Sequence, residues 1–144
     1  MNPELADSVD GVIRARRTLK VYADPKKPLP VTEDREALMA MAEVAGWAPF
    51  HKKADDQVVP WRFHLLDAAA CRKLCAVLTE RGDGSKIPKM LAAACGMVQA
   101  TWRPEGKCSP IPKLYFEPNL KNMEHIAAAS AAVQNLLLAA TARG

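Results

Sequence analysis

No apolar run approaches the ~18 residues needed to cross a membrane. The longest, Leu91 to Val98, falls far short. The first residues, MNPELADS, are acidic and polar and do not read as a secretory signal. The four cysteines, Cys71, Cys75, Cys95 and Cys108, make no CxxC pair. Cys71 and Cys75 fall one helical turn apart, but no second ligand pair with zinc-type spacing accompanies them. No metal site is expected, and free thiols in a reducing cytoplasm are the expectation. The GxSxG, HExxH and phosphate-loop GK[ST] motifs are absent, and Gly82-Asp83-Gly84 lacks the third glycine and helix of a dinucleotide fingerprint. Asp55 and Asp56 are adjacent rather than spaced for acid–base work. Charge of one sign is scarce: 20 Lys and Arg against 16 Asp and Glu leave a net +4. That is compatible with an anionic ligand but too weak and dispersed for a nucleic-acid footprint.

What remains is ordinary for a globular chain: 144 residues, 49% hydrophobic and 25% charged. This supports one core, so residues 1–144 are expected to form a single domain. Leu5, Val9, Val12 and Ile13 predict a helix over 4–15. Residues 18–23 read as extended and DPKKPLPV at 24–31 as a loop. Thr32 is a suitable cap for a helix with Leu38, Met41, Ala42 and Ala45 on its apolar face, ending near Trp47 because Pro49 follows. After a polar loop at 49–60, WRFHLL at 61–66 predicts a strand. A helix over 68–80 turns Leu74, Cys75 and Leu78 inward, and GDGS breaks it. The segment Ala92–Thr101 reads as a buried strand, with helix possible for its first residues. Pro104, Pro110, Pro112 and Pro118 mark 103–118 as an irregular loop. Asn119 or Asn122 caps a last helix running to about Ala142, with Ile126, Ser130, Val133, Leu137 and Ala140 as one stripe. Its alanines leave room for another helix to approach closely. Few strands are visible, so either a second copy completes the fold or a C-terminal part is missing.

Three segments carry candidate chemistry. In an extended Arg16-Arg17-Thr18-Leu19-Lys20, Arg16, Thr18 and Lys20 point one way and Arg17 and Leu19 the other. A guanidinium, a hydroxyl and an ammonium in a row suit a phosphate and a polar ring edge. Cations at a helix C-terminus are also explained by its dipole alone. Ala48-Pro49-Phe50-His51 opens a loop, where functional residues concentrate. It leads to Pro60-Trp61-Arg62-Phe63, whose aromatics are expected in the core. Within Ala132–Ala140, Gln134 and Asn135 need hydrogen-bond partners if buried.

Together these segments resemble the flavin-dependent nitroreductases. The family's Arg-Arg-Ser-x-Arg/Lys-x-Phe is matched by Arg16-Arg17-Thr18-Leu19-Lys20-Val21-Tyr22. Its Ala-Pro followed by Gln-Pro-Trp-x-Phe is matched by Ala48-Pro49 and Val59-Pro60-Trp61-Arg62-Phe63. Gln134 to Ala140 is similar to its central-helix string. Thr18 and Val59 replace the usual Ser and Gln, and the loop between Pro49 and Pro60 is longer than usual. The resemblance implies an α+β sandwich of helices around a mainly antiparallel sheet, built as an intimate homodimer. It implies flavin mononucleotide (FMN) at the dimer interface, touched by Arg16, Arg17, Thr18 and Lys20, with Pro49, Phe50 and His51 reaching the partner's flavin. No residue is expected to act as a catalytic nucleophile. The implied activity is a cytoplasmic oxidoreductase moving hydride from NAD(P)H to a nitro, quinone or enone acceptor by a ping-pong mechanism, with no nucleic acid or membrane partner. The family's domain continues past the central helix, so its C-terminal part is expected to be absent. That leaves a second reading open: a relative without stable flavin binding that acts as a dimerising or binding protein.

Overall fold

The computed structural model describes residues 2–17, 34–50, 58–106, 108–109 and 115–144, with Asp34, Cys108 and Ser109 described by backbone alone. In chain order the elements are α1 (Pro3–Ala15), α2 (Asp34–Ala45), β1 (Trp61–Asp67), α3 (Ala68–Glu80), α4 (Ile87–Ala93), β2 (Gly96–Trp102), β3 (Cys108–Ser109), β4 (Tyr115–Phe116) and α5 (Leu120–Thr141). β1 pairs with β2 and β3 with β4. The Arg103 N–H donates to the Pro60 carbonyl at 2.7 Å. At the opposite end of the pair, Gly96 lies against the Leu66 carbonyl. β1 and β2 therefore run antiparallel, as do β3 and β4. The architecture is α+β with a small antiparallel sheet, as the sequence predicts. No helix among the described residues is long and apolar enough to cross a membrane.

The chain divides into two compact units. The first takes in Met1–Arg16, Met41–Phe63 and Ala100–Gly144. Its core is Ala48, Trp61, Ala128 and Ala132, with Phe50, Val59 and Phe63 packed against it. The predicted stripe on α5 is not the one buried. Asn122, His125, Ala128, Ala132 and Ala139 face inward, while Ser130 and Leu137 are exposed. The reason is steric: Trp61 supplies the bulk, and the alanine side of the helix accepts it at close range. Asn119 is the cap, its side chain accepting from Asn122 N at 2.9 Å. At the other end of the unit, Asn2 caps α1 by accepting from Leu5 N at 3.2 Å, and Pro3 occupies its first turn.

Part of the segment read as an irregular loop is a short hairpin, with Cys108 opposite Phe116 and Ser109 opposite Tyr115. Fully buried Asn122 ties the flanks of that hairpin together. Its Oδ1 accepts from Glu105 N at 2.7 Å. Its Nδ2 donates to the carbonyls of Glu105 at 3.0 Å and Glu117 at 2.8 Å. Gly106, at φ +77, makes the turn where a Cβ would collide with the Glu117 carboxylate.

The second unit takes in Arg17–Ala40 and His64–Gln99. Asp67 ends β1 and caps α3, its Oδ1 accepting from Ala70 N at 2.8 Å. Cys71 is the fully buried residue of α3, whereas Leu74, Cys75 and Leu78 are half-buried. α4 packs on α3 through Leu91, whose carbonyl accepts from the Arg72 guanidinium. The helix left open for the first residues of the predicted strand is there: Ala92 and Ala93 finish α4, and the strand begins at Gly96, half-buried to exposed rather than buried. Alanine favours helix, and the valine and threonine that favour strand come only later. Gly96 lets Leu38 of α2 approach closely, since a Cβ would meet Leu38 Cδ1 at 3.0 Å.

Candidate functional site

Arg16 closes α1. Its φ of −58 and ψ of 126 leave the helix, while its N–H still donates to the Val12 carbonyl at 3.0 Å. Its side chain is half-buried, whereas Arg17 is exposed. Thr18 and Lys20 lie outside the described residues, as do the predicted strand at 18–23, the loop at 24–31 and the Thr32 cap.

The Ala48-Pro49-Phe50 segment follows α2, which ends at Ala45 rather than Trp47; Gly46 N closes it on the Ala42 and Glu43 carbonyls at 3.1 and 3.0 Å. Ala48 is buried, Pro49 exposed and Phe50 half-buried. Two T-shaped contacts fix the Phe50 ring: Trp61 at 6.0 Å between centroids and 82°, and His125 at 5.8 Å and 64°. His125 is itself buried, and its Nδ1 lies 2.9 Å from the Arg103 carbonyl. A carbonyl only accepts, so Nδ1 carries the proton and the imidazole is held in one orientation. Phe50 therefore presents a fixed aromatic surface beside exposed Pro49. His51 lies outside the described residues.

Sequence reading placed Trp61 in the core, and it is there at 5% exposure. It missed Asn122 and His125 as a working pair. Their signal was available: two polar residues three apart on an otherwise alanine-rich face of one helix. Gln134 is exposed, and Asn135 lines an apolar recess with α1.

The buried Cys71 thiol is not an activated nucleophile. Burial pushes the Cys71 thiol up, Arg72 only partly offsets this, and Asp67 and Cys95 push it up further. The Cys75 thiol donates to the Pro88 carbonyl at 3.2 Å. Cys71, Cys75 and Cys95 are free, and among the described residues no group of three or more His, Cys, Asp or Glu is placed to hold a metal.

A crystal structure of a nitroreductase-like family protein from Bacillus cereus superposes with a TM-score of 0.64 over 94% of this chain, at 23% identity. The fold is nitroreductase-like. The chain spans 65% of that protein's length. No protein-family model matches the sequence, and no curated protein matches it. In this nitroreductase-like fold the described candidate residues, Arg16, Arg17, Pro49 and Phe50, sit at element ends: Arg16 and Arg17 after α1, Pro49 and Phe50 after α2. Such positions expose side chains on a rigid frame.

Proposed function

We propose that this chain is a flavin-dependent oxidoreductase. It takes a hydride from NAD(P)H and delivers it to a nitro, quinone or enone acceptor by a ping-pong mechanism, working as a homodimer. The observation that carries the reading is the nitroreductase-like fold over nearly the whole chain. The residues present fit the cofactor. Arg16, half-buried as a residue, carries a guanidinium with the charge and fork geometry a phosphate requires. Pro49 and the braced Phe50 ring offer an apolar surface to a planar ring. When bound, FMN supplies the two-electron chemistry. The chain's own residues bind and orient: Arg16, with Thr18 and Lys20 after it in sequence, neutralises anionic charge, and Phe50 limits how a ring can lie. No side chain needs to act as a nucleophile.

The dimer rests on an exposed apolar face in the first unit. Leu5, Val9 and Ile13 of α1 are 62%, 49% and 51% exposed, and Trp47 is 85% exposed. Val9, Ile13 and Trp47 line a recess of about 510 Å³ together with Leu138 of α5. Contiguous apolar surface of this kind marks an interface. Light scattering at micromolar concentration is expected to read a dimer, and a monomer contradicts this part of the proposal.

The activity is tested by following NADH and NADPH oxidation with a quinone acceptor, with and without added FMN. The expected result is FMN-dependent oxidation with parallel double-reciprocal lines. Absence of any FMN-dependent oxidation overturns the reading in favour of a dimerising protein without flavin chemistry.

A further inference from the structure

Three of the four cysteines belong to the second unit. Cys71 and Cys75 sit one turn apart on α3, and Cys95 lies between α4 and β2. All three are free. Cys75 is committed to α4, since its thiol donates to the Pro88 carbonyl at 3.2 Å. Cys71 and Cys95 converge instead on one backbone group, the Leu66 carbonyl near the end of β1. The fully buried Cys71 thiol lies 3.9 Å from that oxygen. A Cβ on Gly96, the residue after Cys95, would lie 3.4 Å from the same oxygen. The two thiols also feel each other: beside burial and Asp67, Cys95 is a further cause that raises the Cys71 thiol.

Their exposure differs. Cys71 is sealed in, whereas Cys95 is half-buried and lines an open recess of about 680 Å³ with Leu74 and Leu78 of α3 and Met90 of α4. A small oxidant reaches Cys95 there and not Cys71. We propose that Cys71 and Cys95 are a reversible disulfide site, closed by a hydroperoxide, that latches the first turns of α3 to the start of β2. The Cys95 sulfur attacks one peroxide oxygen. An S–O bond forms, the O–O bond breaks, and the other oxygen leaves as water or an alcohol with the thiol proton. The Cys71 sulfur then attacks the Cys95 sulfenic acid. The S–S bond forms, the S–O bond breaks, and the hydroxyl leaves as water with the Cys71 proton. Two thiols lose two electrons and the peroxide gains them. Cys71 is not an activated thiol, so proximity rather than thiolate character drives this second step. A dithiol reductant reopens the bond by exchange. The site is independent of the flavin reading and stands or falls without it.

The test is peptide mapping of the full chain at low micromolar concentration, treated with hydrogen peroxide, blocked with N-ethylmaleimide and cut with trypsin. Arg72 and Lys73 separate Cys71 from Cys75, and Lys89 and Lys107 set off Cys95 and Cys108, so each cysteine leaves on its own peptide. The expected product joins the Cys71 and Cys95 peptides, with two thiols lost and both restored by dithiothreitol. Cys95→Ser is expected to abolish it and Cys75→Ser to leave it in place. The oxidised chain is expected to melt about 5 °C or more above the reduced one, as for closing a loop between distant residues. The mapping uses the unsubstituted chain, so it stands whether or not a variant folds. Cys71 and Cys95 both blocked by the maleimide after peroxide, Cys95 carried to sulfinic acid with Cys71 still free, or a bond to Cys75 or Cys108 instead overturns the proposal. A melting temperature that does not rise overturns the latch.

Discussion

Replacing Asn122 by alanine is expected to cost about 3–5 kcal/mol of folding stability, because three side-chain hydrogen bonds in a dry site are lost together. Asn122 is fully buried, and its amide serves Glu105 N, Glu105 O and Glu117 O. Its removal leaves one donor and two acceptors without partners, and each carries a desolvation penalty. Asn122→Asp separates bonding from shape. The aspartate has the same outline and can still accept from Glu105 N, but it turns oxygen rather than N–H toward two carbonyls. Chemical denaturation is expected to show both variants strongly destabilised. An Asn122→Asp protein within about 0.5 kcal/mol of the original would show that the network contributes little.

Arg16→Ala is expected to weaken FMN binding by about 1.5–3 kcal/mol, the range for a hydrogen bond to a charged group. Arg17→Ala is expected to do much less. The contrast follows from their places: Arg16 is half-buried where α1 ends, and Arg17 beside it is exposed. A half-buried arginine gives up less side-chain freedom when it meets a phosphate than an exposed one does. Fluorescence titration of both variants with FMN measures this. Equal losses would move the phosphate contact away from Arg16.

Much of this was legible in the sequence where local chemistry decides. Asn119 caps α5, and WRFHLL lies within β1. The helix predicted over 68–80 is α3, with Asp67 as the cap that ends the strand before it. What was not legible depends on partners distant in the chain. The buried stripe of α5 is chosen by Trp61, some 70 residues earlier, which needs alanines rather than leucines opposite it. α4 is short and proline-bearing, and Ser85 accepts from Ile87 N at 3.2 Å at its start, so no helical period announces it. β3 and β4 are two residues each and depend on the Asn122 clamp rather than on strand propensity. Of the candidate site, the residue types were readable, but the bracing of Phe50 by His125 was not, because it joins the end of α2 to α5 through side chains alone.

The central claim is that this chain holds FMN through its own residues. Titrating FMN into the purified protein and following the quenching of flavin fluorescence tests it most directly. The account predicts saturable quenching that approaches one flavin for each chain. Flavin that stays fully fluorescent up to roughly 1 mM, where binding free energy falls to about 4 kcal/mol, would contradict it.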